Sequence, residues 1–152
     1  MKRIIVLMML IVASVSTAQI KKVEVAQEDR EEVGKITPAG ILAIKCERVE
    51  DVFTFSYKEA ANKSNEVKFS VKNVDNAFSS LYLMIEEGFK NMPKNPVLIE
   101  LPDGYLWLSY RRFQGAVVMK LGFSGTKEKN AATAPYSQEF NMNQINKLFG
   151  IK

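Results

Sequence analysis

The sequence predicts an α+β domain that combines antiparallel strands with two helices. Several segments alternate apolar and polar residues with a period of two, as strands with one buried face do. Residues 74–91 instead space their apolar side chains at the period of a helix. Residues 69–78 and 140–149 resemble each other, which predicts two pseudo-repeats, each made of strands followed by a helix.

Three strands are predicted in the first pseudo-repeat, residues 40–92. Large apolar residues alternate there with charged and hydroxyl residues, so each strand should bury one face and leave the other in water. The apolar positions are Leu42, Ile44 and Cys46, then Phe53, Phe55 and Tyr57, and then Val67, Phe69 and Val71.

A helix over residues 74–91 closes the first pseudo-repeat. Asn73 is a suitable N-cap because its side chain can accept a hydrogen bond from a free backbone N–H. Lys90 lies near the other end, where a positive charge complements the helix dipole. Pro93 then prevents the helix from continuing.

The second pseudo-repeat, residues 95–152, begins as a β-meander with strands over 97–101, 105–113 and 116–123. Pro102-Asp103-Gly104 and Gln114-Gly115 are turn sequences between these strands. We expect a loop from Ser124 to Ser137, because small and polar residues dominate it. A last strand over 139–143 and a short helix over 144–149 complete the prediction.

The similarity between the pseudo-repeats extends over ten positions without a gap. Both copies contain Phe-x-(Val/Met)-x-(Asn/Gln)-(Val/Ile)-(Asp/Asn)-x-(Ala/Leu)-Phe, which starts at Phe69 in one and at Phe140 in the other. In each, a strand is expected to send two apolar side chains into the core, and a helix to return two more. Two such units can share a core that neither could build alone.

The second pseudo-repeat resembles Whirly domains and single-stranded-DNA-binding coactivator domains, to which the Pur-type repeats are related. The resemblance is carried by Arg111-Arg112-Phe113-Gln114-Gly115 between two strands, and by Phe140-x-Met142 running into a helix. It implies the element order β-β-β-β-α, and it makes binding of single-stranded nucleic acid one alternative function.

Residues 1–18 are predicted to be a signal peptide that directs export to the periplasm or the medium. Lys2 and Arg3 precede an apolar run, which is too short to span a bilayer, and Ser16-Thr17-Ala18 is a typical cleavage site. A mature chain that begins at Gln19 resembles secreted proteins of the Bacteroidota. We expect residues 19–38 to be a charged flexible segment and residues 39–152 to be a single domain that spans no membrane.

The amino-acid composition excludes several classes of chemistry. The chain has no histidine and one cysteine, Cys46, so histidine-based catalysis, histidine-ligated metals and an internal disulfide are excluded. We expect no catalytic residue, metal or other cofactor. The formal charge of +4 falls to +2 without the leader, with 19 basic against 17 acidic residues, so nucleic acid is an unfavoured partner.

The candidate binding surface lies on the strand over 105–113. If Leu106, Leu108 and Tyr110 face the core, the opposite face carries Tyr105, Trp107, Ser109, Arg111 and Phe113. Aromatic and arginine side chains are typical of binding surfaces, although a sheet covered on both faces would also contain them. The sequence therefore predicts an exported, non-catalytic binding module for a protein, peptide or polymer, with an enzyme of unrecognised type as a further alternative.

Overall fold

A computed structural model describes residues 29–125 and 130–152. Within these ranges, seven strands form two antiparallel sheets, and two α-helices accompany them. The predicted α+β class with antiparallel strands and two helices is confirmed. The predicted leader lies outside the described residues. No helix in the described ranges is long and apolar enough to cross a bilayer.

The first sheet has four strands in sequential order, β1 to β4. The strands are β1 (Glu31–Ile36), β2 (Ile44–Val49), β3 (Val52–Lys58) and β4 (Glu66–Lys72). Its inner face buries most of the predicted apolar positions, among them Ile44, Phe55 and Phe69. Leu42 is an exception: it lies before β2 and is exposed, while Ala43, which was predicted to face water, is buried. The predicted alternation therefore holds for β2, β3 and β4.

Strand β1 corrects the prediction for the N-terminal segment. Residues 31–36 were predicted to belong to the flexible stretch, but they pair with β2 along their whole length. The prediction failed because β1 has few large apolar residues of its own. Gly34, at the centre of β1, lies against the backbone of the C-terminal helix. Because glycine has no side chain, it adds nothing to an alternation of apolar and polar residues.

Helix α1 (Ala77–Asn91) follows a single 3-10 turn at Val74–Asn76. The predicted helix is therefore present, with a tighter first turn. Asn73 does supply an acceptor at the helix start, since its Oδ1 receives the N–H of Phe78 at 3.2 Å. Leu81 and Ile85 are buried, one helical turn apart.

The second sheet contains β5 (Val97–Leu101), β6 (Gly104–Phe113) and β7 (Ala116–Ser124). These three strands agree with the prediction. Beyond β7, Tyr136 and Phe140 form isolated bridges with β7. The strand predicted over 139–143 is wrong, because helix α2 (Met142–Leu148) already begins there.

The helices connect the two halves into one core. Each contacts the sheet of the other half: α1 touches β6, where Gly88 lies against the Tyr110 ring, and α2 packs on β1. Phe78 and Phe149 are the last residues of the two similar ten-residue segments, and their rings contact each other at a tilt, with centroids 4.9 Å apart. The similarity does not extend through the junction, since Val71 lies in β4 whereas Met142 lies in α2.

Tyr57 joins the two sheets through its buried hydroxyl group. The hydroxyl donates to the Pro135 carbonyl at 2.6 Å and accepts the backbone N–H of Phe123 at 2.8 Å. Burial raises the pKa of Tyr57 above its ordinary value, so the group remains a protonated donor. The N–H group of Phe123, near the end of β7, thus has a hydrogen-bond partner in the other sheet.

We predict that Tyr57→Phe lowers the free energy of unfolding by about 2 kcal/mol, because it leaves a buried N–H and a carbonyl unpaired. Urea denaturation measures this loss. Tyr82→Phe is the control: the half-buried Tyr82 hydroxyl donates to the Asn146 side chain at 3.1 Å, so its loss should cost less. Equal losses in the two variants would contradict a special role for Tyr57.

Candidate binding surface

Strand β6 presents its two faces as the alternation predicts. Leu106, Leu108 and Tyr110 are buried in the core. Tyr105, Trp107, Ser109, Arg111 and Phe113 occupy the opposite, outer face of the second sheet. The structure divides this row: Tyr105 and Ser109 are half-buried, Trp107 is buried, and Arg111 and Phe113 are exposed.

Trp107 lies on the outer face but is only 7% exposed. Its cross-strand neighbours are Leu98 on β5 and Gly122 on β7. The ring of Tyr136 lies directly over Gly122, where an added Cβ would come within 2.8 Å of it. The ammonium group of Lys120 lies 4.2 Å from the centre of the same ring. This middle part of the face is thus covered, and Trp107 is not an open contact residue.

The open part of the face is the end of the β6–β7 hairpin. Gln114 and Gly115 make the turn with positive φ angles of 49° and 83°, as two-residue hairpin turns require. Phe113, beside the turn, is 46% exposed. Arg111, Phe113 and the nearby Glu139 together are termed the hairpin-tip patch.

Arg111 is held in place on two sides. Its guanidinium group makes two hydrogen bonds with the Glu139 carboxylate, one of them at 2.6 Å. Its Cζ lies 4.8 Å from the ring centre of Phe113, which is within cation–π distance. The hydrogen bonds to Glu139 raise the pKa of Arg111 above its ordinary value. Three of the five guanidinium N–H groups remain free of Glu139 and could donate to carbonyl or carboxylate oxygens of a partner.

The outer face of the first sheet forms a separate surface, a groove of about 840 Å³. Thr54 and Ser56 contribute hydroxyl-bearing residues to its lining, and the Thr54 hydroxyl is hydrogen-bonded to that of Ser70 at 2.9 Å. Lys45 pairs with Glu47 at 2.9 Å across its wall. Val49 and Val52 also line the groove, and acidic and basic side chains are mixed along it, so it offers no concentrated charge to a ligand.

Cys46 and the acidic side chains are the groups to consider for thiol or metal chemistry in the described part of the chain. Cys46 is fully buried, and burial raises the pKa of its thiol to about 12, so it cannot supply a thiolate at neutral pH. No three His, Cys, Asp or Glu side chains within residues 29–125 and 130–152 are arranged to hold a metal ion.

Sequence reasoning missed Glu139 as the partner of Arg111, and Tyr136 as the cover over Gly122. Both residues follow the loop after β7, and their approach to the outer face depends on contacts 28 and 14 positions apart in the chain. Local periodicity contains no signal for such contacts. The nearest clue is the opposite charge of Arg111 and Glu139.

Comparison with known proteins assigns no family to the chain. No protein-family model matches it, and neither a curated protein nor a solved structure matches it. Its function must therefore be inferred from the surface itself.

Proposed function

We propose that the chain is an exported, non-catalytic binding module that docks a protein or peptide on the hairpin-tip patch. The observation that carries this proposal is the exposed Phe113 ring with the Arg111 guanidinium stacked on it. The leader predicted over residues 1–18 is the basis for export. N-terminal sequencing of the exported chain should then begin at Gln19.

The patch has the composition and rigidity expected of a binding hot spot. Aromatic and arginine residues dominate the energy of protein interfaces. Arg111 is fixed by Glu139 and Phe113, so little side-chain entropy is lost when a partner engages it. Arg112 is also exposed, but it follows Arg111 on a regular strand and so faces the other side of the sheet. A partner segment with carbonyl or carboxylate oxygens next to an apolar side chain would complement this arrangement.

We predict that Phe113→Ala and Arg111→Ala each lower capture of the natural partner at least tenfold, since hot-spot truncations commonly cost about 2 kcal/mol or more. The tagged chain would be incubated with envelope extract, and its partner quantified by mass spectrometry. Leu83→Ala on α1 is the matched control, because Leu83 is also an exposed apolar residue but lies on another surface. Equal capture by all variants would exclude the hairpin-tip patch.

Binding of single-stranded nucleic acid is the second candidate. It is supported by the order of four strands and then a helix, which the Whirly resemblance implies for the second pseudo-repeat but which occurs in the first half, from β1 to α1. The second half has three strands before α2. Against it, Glu139 neutralises Arg111, and charges of both signs line the groove of the first sheet. Filter binding of a labelled oligonucleotide at low and high salt tests this function. Retention at low salt that falls steeply with salt would favour nucleic acid over a protein partner.

A further inference from the structure

The outer edge of β5 is an open strand edge. The turn at Pro102 and Asp103 pairs Leu101 with Gly104, and hydrogen-bonded pairs alternate from that point. Leu101, Ile99 and Val97 therefore bond to β6, while the N–H and C=O groups of Leu98 and Glu100 point away from the sheet. Neither Leu98 nor Glu100 forms a hydrogen bond with another part of the described chain.

The other edge strands are each covered or protected, and β7 among them forms bridges with Tyr136 and Phe140. Strand β1 has a bulge between Glu32 and Gly34, an exposed Glu32–Lys35 ion pair, and α2 packed against it. Bulges and charges of this kind prevent edge pairing. Strand β4 lies beside β7, where the rings of Phe69 and Phe123 stack 5.5 Å apart. Strand β5 has neither protection: its register is regular, and Glu100 is its single charged residue.

We propose that β5 pairs antiparallel with β5 of a second copy of this chain, centred on Ile99. The outward groups of Leu98 in each copy then bond to those of Glu100 in the other. This makes four main-chain hydrogen bonds and joins the two three-stranded sheets into one. Ile99 faces Ile99 of the second copy as a non-hydrogen-bonded pair.

The side chains of β5 are complementary to themselves in this register. On the inner face, Val97 meets Leu101 of the second copy, so every cross-strand pair there is aliphatic. These residues are only half-buried in the single chain and gain cover from the pairing. On the outer face, Leu98, which is 38% exposed, packs beside Glu100 of the second copy. The two Glu100 carboxylates are therefore not opposite each other, as they would be in a parallel, in-register pairing.

Charge complementarity favours the same register. Lys94 precedes β5 and Asp103 follows it; both are exposed, and neither has an ion-pair partner among the described residues. Antiparallel pairing brings Lys94 of each copy to the end where Asp103 of the other lies. Pro96 and Pro102 flank the strand and have no N–H group to donate, so they limit the pairing to a short segment and prevent open-ended assembly.

Sedimentation of the full chain over a range of concentrations tests the proposal. We expect a dimer with a dissociation constant on the order of 10 µM, as suits a small interface. Leu98→Pro removes an outward N–H without breaking a β5–β6 hydrogen bond, and it should raise this constant at least tenfold while circular dichroism stays unchanged. A chain that stays monomeric at every concentration overturns the proposal, even if it binds a foreign extended peptide at this edge.

Cysteine cross-linking tests the register. In Ile99→Cys the two Cα atoms would lie about 4.5 Å apart, within disulfide range, so mild oxidation should give a covalent dimer. Leu98→Cys is the matched control, because its Cα atoms would lie roughly 8–9 Å apart, too far for a disulfide. Cys46 is buried and does not interfere. Cross-linking of Leu98→Cys, or of neither variant, overturns the proposed pairing.

Discussion

Replacement of Phe149 by alanine is expected to lower the free energy of unfolding by about 3–5 kcal/mol, as truncation of a buried phenylalanine does. The Phe149 ring is buried directly after α2 and packs at a tilt against the rings of Phe55, Phe78 and Tyr82, with centroid distances of 5.5, 4.9 and 5.4 Å. Phe55 belongs to β3, and Phe78 and Tyr82 belong to α1. The substitution therefore leaves a cavity where the two halves of the chain meet.

Urea denaturation followed by fluorescence measures this loss. A domain of this size is stable by roughly 5–15 kcal/mol, so the variant should unfold at clearly lower urea concentrations. Ile151→Ala is the control, since Ile151 is two residues further on and exposed, and its loss should stay within about 0.5 kcal/mol. If the two variants were equally stable, Phe149 would not join the halves into one core.

The regular elements could be predicted from the sequence because each carries its own period. Strand β3 alternates Phe53, Phe55 and Tyr57 with polar residues, and α1 repeats its apolar residues at helical spacing. Such patterns depend only on which side of a single element is buried. The inward direction of Leu106, Leu108 and Tyr110 followed from the same reasoning.

The errors arose where a distant segment decides the structure. Strand β1 forms because β2 and α2 lie against it, and Gly34 leaves no side chain in the pattern. The start of α2 was placed two residues late, although Asn141 and Gln144 form a capping box in which each side chain accepts the other's backbone N–H. That Asn-x-x-Gln spacing is readable in sequence and was the signal that could have corrected the boundary.

The candidate surface shows the same limit. Periodicity placed Trp107, Arg111 and Phe113 on one face, which agrees with the strand register. It could not show that Tyr136 returns over Gly122 and closes the middle of that face. Coverage of a sheet depends on the loop that crosses it, and the composition of that loop does not reveal its path.

The two proposed surfaces are compatible in one molecule. Strand β5 pairs with β6 only from Gly104 to Leu108, so the β6–β7 hairpin projects beyond it by five residues, 109–113. Pairing of β5 with a second copy would leave both hairpin-tip patches free, at opposite ends of the joined sheet. A dimer could then engage a repetitive partner at two points and gain avidity without any new contact.

Substitution of Gly34 by alanine is expected to lower the free energy of unfolding by about 3 kcal/mol. A Cβ at this position would lie 2.7 Å from the Leu148 carbonyl oxygen and closer still to that of Lys147. Both are backbone atoms of α2, so the clash cannot be relieved by turning a side chain. Either α2 moves away from β1, which opens the core around Phe149, or β1 leaves the sheet.

Hydrogen exchange separates this effect from a general loss of stability. In Gly34→Ala the amides of Lys147, Leu148 and Phe149 should exchange faster than those of β6, because the damage begins where α2 meets β1. Gly125→Ala is the control, since a Cβ there would meet its nearest neighbours at an ordinary 3.8 Å. Its stability should stay within about 0.5 kcal/mol of the unaltered chain. If Gly34→Ala were equally harmless, α2 would not rest on the backbone of β1.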